Sequence, residues 1–262
     1  MKRQVKKWIL GSAVFALLFA GLLLVIILNP VLTYANKTTY QGFTIYHNEP
    51  VDPQLPAVLD QAKALLKKSE FYKADLDLNI CVNDGSSYPN FVKVILGPAF
   101  AWAIDNKLIL QGEMNCAENF IELNGYKWNL TELLAHEMTH CLQYANLGFW
   151  KSNPVAGIPD WKWEGYAEYI ARQGPQHDDL LKNLDRLEKD HNKCWEITLE
   201  DHTIAPRELY QYQLMVRYCL EIKQLTYSQL LSNPIDEGAI KIEMNDWYVH
   251  KKRTNNHQTY TD

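Results

Sequence analysis

The sequence predicts an α+β domain carried behind an N-terminal transmembrane helix, with a small sheet in its first half and a mainly helical second half. Three observations support this. Residues 8–28 form an unbroken run of apolar and small side chains, long enough to cross a bilayer as a helix. From there to about residue 111, strand-like alternation and helical spacing take turns. From residue 130 onward the apolar positions recur mainly at helical spacing.

The N-terminal segment 1–7 holds Lys2, Arg3, Lys6 and Lys7. Clustered basic residues remain on the cytoplasmic side, so the chain after Asn29 is expected to be extracytoplasmic, with 8–28 as a signal anchor and 29–37 as a linker. A cleavable signal peptide is the competing reading. Its apolar core is normally about 7–15 residues, and only Thr33-Tyr34-Ala35 offers a weak cleavage pattern. The domain is expected over 38–250, followed by a polar tail over 251–262.

Within the domain, 38–46 reads as a short strand, and 76–82 alternates as a second. Between them, 53–72 places Leu55, Val58, Leu59, Ala62, Leu65 and Leu66 at helical spacing. Residues 99–111 read as strand, turn at Asp105-Asn106, and strand. Asn129 is a good N-cap, and Glu132 three positions later suggests a capping box, which opens a helix from Leu130 to about Asn146. Asn146, Gly148, Pro154, Gly157 and Pro159 mark the following loop. A second helix is expected from Asp160 to Ala171, with Gly174 as its stop. A charged amphipathic helix over 178–191 buries Leu180, Leu181, Leu184 and Leu187. Further helices follow at 208–220 and 226–231, the latter ended by Asn233-Pro234.

The first of the two central helices contains His136-Glu137-Met138-Thr139-His140. Residues four apart on a helix lie about 5–6 Å apart on one face, so both imidazoles can reach one metal ion. Glu137 would lie beside that ion as general base. A hydrolytic zinc usually takes three protein ligands and keeps one position for water. The second helix offers Glu164 and Glu168, one turn apart, and spacing alone does not choose between them. Their flanks, Trp161, Trp163, Tyr166, Tyr169 and Ile170, make an exposed acidic face a poor reading, and a buried carboxylate needs a partner.

HExxH followed by Trp161-x-x-Glu164-Gly165-x-Ala167-Glu168-Tyr169 resembles the gluzincin metallopeptidases, most closely their peptidase-MA-like branch, over roughly residues 90–232. The resemblance implies a thermolysin-like catalytic core. His136, His140 and Glu164 would be zinc ligands, Glu137 the base, and Glu168 the partner that orients a ligating histidine. It also implies that part of 99–111 lines the cleft and pairs with an extended substrate by strand addition. In the helix over 208–220, Tyr210 or Tyr212, with His202 behind them, would donate to the oxyanion.

Together these features point to a membrane-anchored zinc metallopeptidase acting on a peptide or protein substrate. Two alternatives remain: a catalytically silent binding module for an extended peptide or envelope partner, and a zinc hydrolase of a non-peptide amide. The net charge is −5, and without the four N-terminal basic residues the remainder stands at −9. Neither nucleic acid nor an anionic lipid surface is therefore an expected partner. Cys81, Cys116, Cys141, Cys194 and Cys219 contain no CxxC pair, which argues against a zinc-thiolate site, and their odd number leaves any disulfide pairing incomplete. His47, His177, His191, His250 and His257 have no partner at metal spacing and are expected at the surface.

Overall fold

The computed structural model describes residues 2–174, 177, 179–191 and 193–258, with side chains from 6 to 254 within that set. In chain order the elements are α1 (Lys2–Leu28), β1 (Asn36–Tyr40), β2 (Phe43–His47), α2 (Leu55–Leu66), β3 (Leu78–Cys81), α3 (Ser87–Leu96), β4 (Ala101–Ile104), β5 (Lys107–Leu110), β6 (Glu113–Asn115), β7 (Phe120–Leu123), β8 (Tyr126–Asn129), α4 (Leu130–Leu147), α5 (Asp160–Ala171), α6 (Leu180–Lys189), β9 (Glu196–Thr198), β10 (Ile204–Pro206), α7 (Arg207–Arg217), α8 (Tyr227–Ser232) and α9 (Glu237–Gln258). Helix and sheet are mixed, as expected, behind one N-terminal helix long and apolar enough to cross a membrane, Lys6–Leu28.

The main sheet has the order β1-β2-β3-β5-β4. Its centre is parallel, β2 with β3 and β3 with β5, while β1 and β4 close the edges antiparallel. Because strand side chains alternate between faces, the sheet is covered on both sides. Phe43, Ile45, Leu78, Ile80, Leu108 and Leu110 enter the main core together with α2, α4 and α5. Cys81 and Ile109 enter a smaller cluster with Tyr34, Tyr88 and Val92. The β4–β5 turn falls at Asp105, whose φ of 57° is tolerated by the short aspartate side chain.

Several features depart from the sequence expectation, among them the split of the strand expected over 38–46 into the β1–β2 hairpin. Helix α3 arises where no periodic run announced it: the Ser86 hydroxyl caps the chain by accepting from the Tyr88 N–H. The linker is no free tether, since Pro30 and Tyr34 are buried and Tyr34 donates to the Val82 carbonyl at 2.8 Å. The polar tail is helical as far as Gln258, because α9 runs through residues 251–258; residues 259–262 lie outside the described set, as does Asp178 at the expected start of α6. Glu132 does not close a capping box. Asn129 accepts from the Glu132 N–H at 3.1 Å, but the Glu132 carboxylate turns to Arg172 and His177.

Two packing contacts place the central helices. Helix α4 lies between the sheet and α5, and every residue from Leu130 to Gln143 except Glu132 is buried. Helix α5 meets α7 at Gly165, where a Cβ would lie 2.7 Å from the Tyr212 carbonyl oxygen. Only glycine lets the two backbones approach this closely.

Candidate metal centre

One turn of α4 separates His136 from His140, and α5 brings Glu164 across to both. The Glu164 Oε2 lies 3.2 Å from the Nε2 of each histidine, and the two Nε2 atoms lie 3.1 Å apart. The opposite ring nitrogens are already engaged. His136 Nδ1 lies 3.0 Å from a Glu168 oxygen, which as a carboxylate only accepts. His140 Nδ1 lies 2.7 Å from Gln143 Oε1. The Gln143 amide orientation is fixed by its nitrogen, which donates to the Trp163 carbonyl and the Tyr227 hydroxyl. In both histidines Nδ1 thus faces an acceptor, and the two Nε2 atoms converge with a carboxylate oxygen. Three acceptors facing one point repel one another unless a cation or a proton lies between them.

Behind this triad lies a buried ion-pair chain. Glu168, fully buried, bridges His136 to Arg172 Nε at 2.5 Å. Arg172 is also fully buried and reaches Glu132 at 2.6 Å, while His177 Nε2 lies 3.4 Å from the other Glu132 oxygen. The expectation of a surface His177 thus fails: it is 3% exposed. His47 is buried as well, between Thr38 and Glu49. The His257 side chain lies outside the described set.

The charges follow from these contacts. Burial opposes ionisation of Glu168, but Arg172 and His136 overcome it and hold the carboxyl down at about 2. For Glu164, burial is likewise overcome by the two histidines, and its pKa is lowered. Burial disfavours charge on His136, yet hydrogen bonds to Glu164 and Glu168 raise it to about 10. Glu137, next to the triad and 6% exposed, has its carboxyl raised by burial, against the pull of both histidines. A carboxyl tuned upward in this way can both take and return a proton.

The tyrosines fall elsewhere. The fully buried Tyr210 donates to Asn183 at 2.8 Å and accepts from Arg186 at 3.0 Å. Tyr212 donates to Glu208 at 2.9 Å. Both hydroxyls thus bond to residues other than the triad. His202 sits exposed at the β9–β10 turn with φ 63°. Sequence reading missed Gln143, three residues after His140 and thus on the same helix face. It also missed the aromatic walls: Trp163 stacks on His140 at 5.5 Å, and Trp128 meets His136 edge-on at 6.2 Å.

Strand β4 packs beside α4 and, among the described residues, pairs only with β5. Its outer edge therefore has no strand partner among the described residues. Comparison with protein-family models, curated proteins and solved structures returns no match. On chemistry alone, His136, His140 and Glu164 form a group able to hold a metal ion, their ligand atoms all within 4.8 Å of one another.

Proposed function

We propose that the protein is a membrane-anchored zinc metallopeptidase of gluzincin type whose catalytic domain is extracytoplasmic. The observation that carries the proposal is the convergence of the Glu164 carboxylate with two Nε2 atoms whose imidazoles are each backed by a buried partner, Glu168 or Gln143. Tetrahedral zinc lies about 2.0–2.1 Å from such ligands, which sets the ligand atoms about 3.4 Å apart. The observed separations of 3.1–3.2 Å are close to that spacing. Thiolates are absent from the triad, and an imidazole-carboxylate set suits zinc.

When bound, zinc supplies Lewis acidity toward a peptide carbonyl and makes water acidic enough to lose a proton near neutrality. The chain supplies the rest. Glu137 accepts the proton of the attacking water and passes it to the leaving amine. Glu168 and Gln143 hold the two imidazoles in one tautomer and orientation. The open edge of β4 offers main-chain groups to an extended substrate, in the manner of strand addition. The four basic residues of segment 1–7 hold the N-terminus in the cytoplasm.

The test is hydrolysis of a quenched fluorescent peptide library by the full-length chain in detergent. Activity that is removed by chelation, restored by zinc, and lowered about 10²–10⁴-fold in Glu137→Gln with metal content unchanged is the expected result. A second reading, a metal-holding peptide-binding module without catalysis, draws on the placement of Tyr210 and Tyr212 outside the triad. It predicts peptide binding with equal, negligible turnover in wild type and Glu137→Gln.

A further inference from the structure

The membrane anchor enters the domain through a fixed joint. The Tyr88 hydroxyl, in the first turn of α3, donates to the Ile27 carbonyl near the end of α1. Ser86, the N-cap of α3, donates to the Thr33 carbonyl at 3.2 Å. Tyr34 packs edge-on against Tyr88 at 6.1 Å. Helix α3 has 10 residues, about 15 Å at 1.5 Å per residue, so its far end stays close to the end of the anchor.

That far end is apolar and uncovered. Val94 is 85% exposed, and Ile95 and Leu96 are each 41% exposed, three consecutive large aliphatic side chains in water. Soluble surfaces rarely carry such a cluster without a partner. The segment from Gly85 to Ile104 also holds no Asp or Glu and one lysine, Lys93, in an ectodomain that is otherwise acidic. The exposed Lys93 can extend its ammonium to lipid phosphates while Val94, Ile95 and Leu96 enter the acyl boundary.

We propose that α3 is a second membrane contact, lying in the lipid interface beside the anchor and orienting the domain on the bilayer. This rests on the reading of α1 as membrane-spanning. The favoured occupant is lipid because the patch lies on the same short helix as Tyr88, whose hydroxyl meets the apolar, exposed α1 at Ile27, and because its segment carries no acidic residue. Since α3 covers the face of the sheet opposite α4, the metal centre then looks away from the membrane. Its substrates would be extracytoplasmic segments standing clear of the lipid.

The experiment places an environment-sensitive NBD probe at Val94→Cys in full-length Cys194→Ser protein, reconstituted into phosphatidylcholine–phosphatidylglycerol vesicles that contain nitroxide lipids. The control probe is Ile242→Cys on α9, 65% exposed. The expected result is a blue-shifted probe at 94, quenched several-fold by the nitroxides, and a water-like, unquenched probe at 242. Protein that resists alkaline extraction while its 94 probe escapes quenching overturns the lipid contact and leaves the anchor intact; a blue shift without quenching assigns the patch to a second protein surface. Protein that is extracted by alkali overturns the spanning reading and the contact together.

Discussion

His136 and His140 each use Nδ1 to hold position and turn Nε2 toward Glu164, and their two supports differ in kind. Glu168 is a buried charge tied to Arg172, whereas Gln143 is a neutral amide. Removing one member of a buried ion pair strands the other and costs about 3–5 kcal/mol, so Glu168→Ala would disturb the fold as well as the ligand. Gln143→Ala avoids that complication. It is expected to weaken zinc affinity about 10–100-fold with little change in fold, read by competition with a chromophoric chelator. Unchanged affinity would show that His140 needs no such support. At this scale the ligands were legible because their spacing is local. Gln143 was not singled out because a glutamine on a helix has many uses, and only the direction of the His140 ring identifies this one.

At the scale of elements, two contacts decide where the triad sits. The first is the crossing of α5 and α7 at Gly165, which fixes the rotation of α5 and with it Glu164. Gly165→Ala would place a Cβ 2.7 Å from the Tyr212 carbonyl oxygen and 2.9 Å from Val216 Cγ2, forcing the helices apart. A loss of about 1–3 kcal/mol in denaturant unfolding is expected, together with weaker zinc binding. The second is the small cluster beneath α3. Burial raises the pKa of Tyr34, Tyr88 and Cys81 above their ordinary values of 10.0 and 9.0. Groups whose pKa is raised by folding stabilise the native state fully below their unfolded pKa and withdraw that contribution as pH rises past it. Stability is therefore expected to fall from about pH 9 upward, and Tyr34→Phe to flatten that fall. An equal alkaline slope in the variant would contradict the burial argument. Most of the main elements were legible from periodicity, but α3, β6–β10 and α9 were not. The strands are only three or four residues long and pair in tight hairpins, such as Ile121 with Trp128 and Ile197 with Ala205, and runs that short show no clear period.

Across the whole molecule, an apolar helix, a two-faced sheet and a buried helix pair work as one scaffold. The sheet carries the joint to α1 on one face and α4 on the other, so that joint and the His136–His140–Glu164 group are separated by the core. The buried chain from His136 through Glu168 and Arg172 to Glu132 ties α4 to α5 at charged positions that a hydrophobic core would not choose. The Glu132–Arg172 end of this chain was invisible to sequence reading, because Glu132 suits an N-terminal cap equally well and the chain alone does not show which partner it takes. What the residues did reveal, HExxH and a downstream Glu-Gly-x-Ala-Glu, is the part whose chemistry is written in local spacing.

The central claim is that His136, His140 and Glu164 hold zinc. The most direct test is elemental analysis of the purified full-length chain after zinc loading and removal of excess, with His140→Ala, Glu164→Ala and Glu168→Gln in parallel and circular dichroism confirming the fold of each. Near-stoichiometric zinc is expected in the wild type, with its loss in His140→Ala and Glu164→Ala and its retention at reduced affinity in Glu168→Gln. A folded wild-type chain that retains no zinc after loading would contradict it.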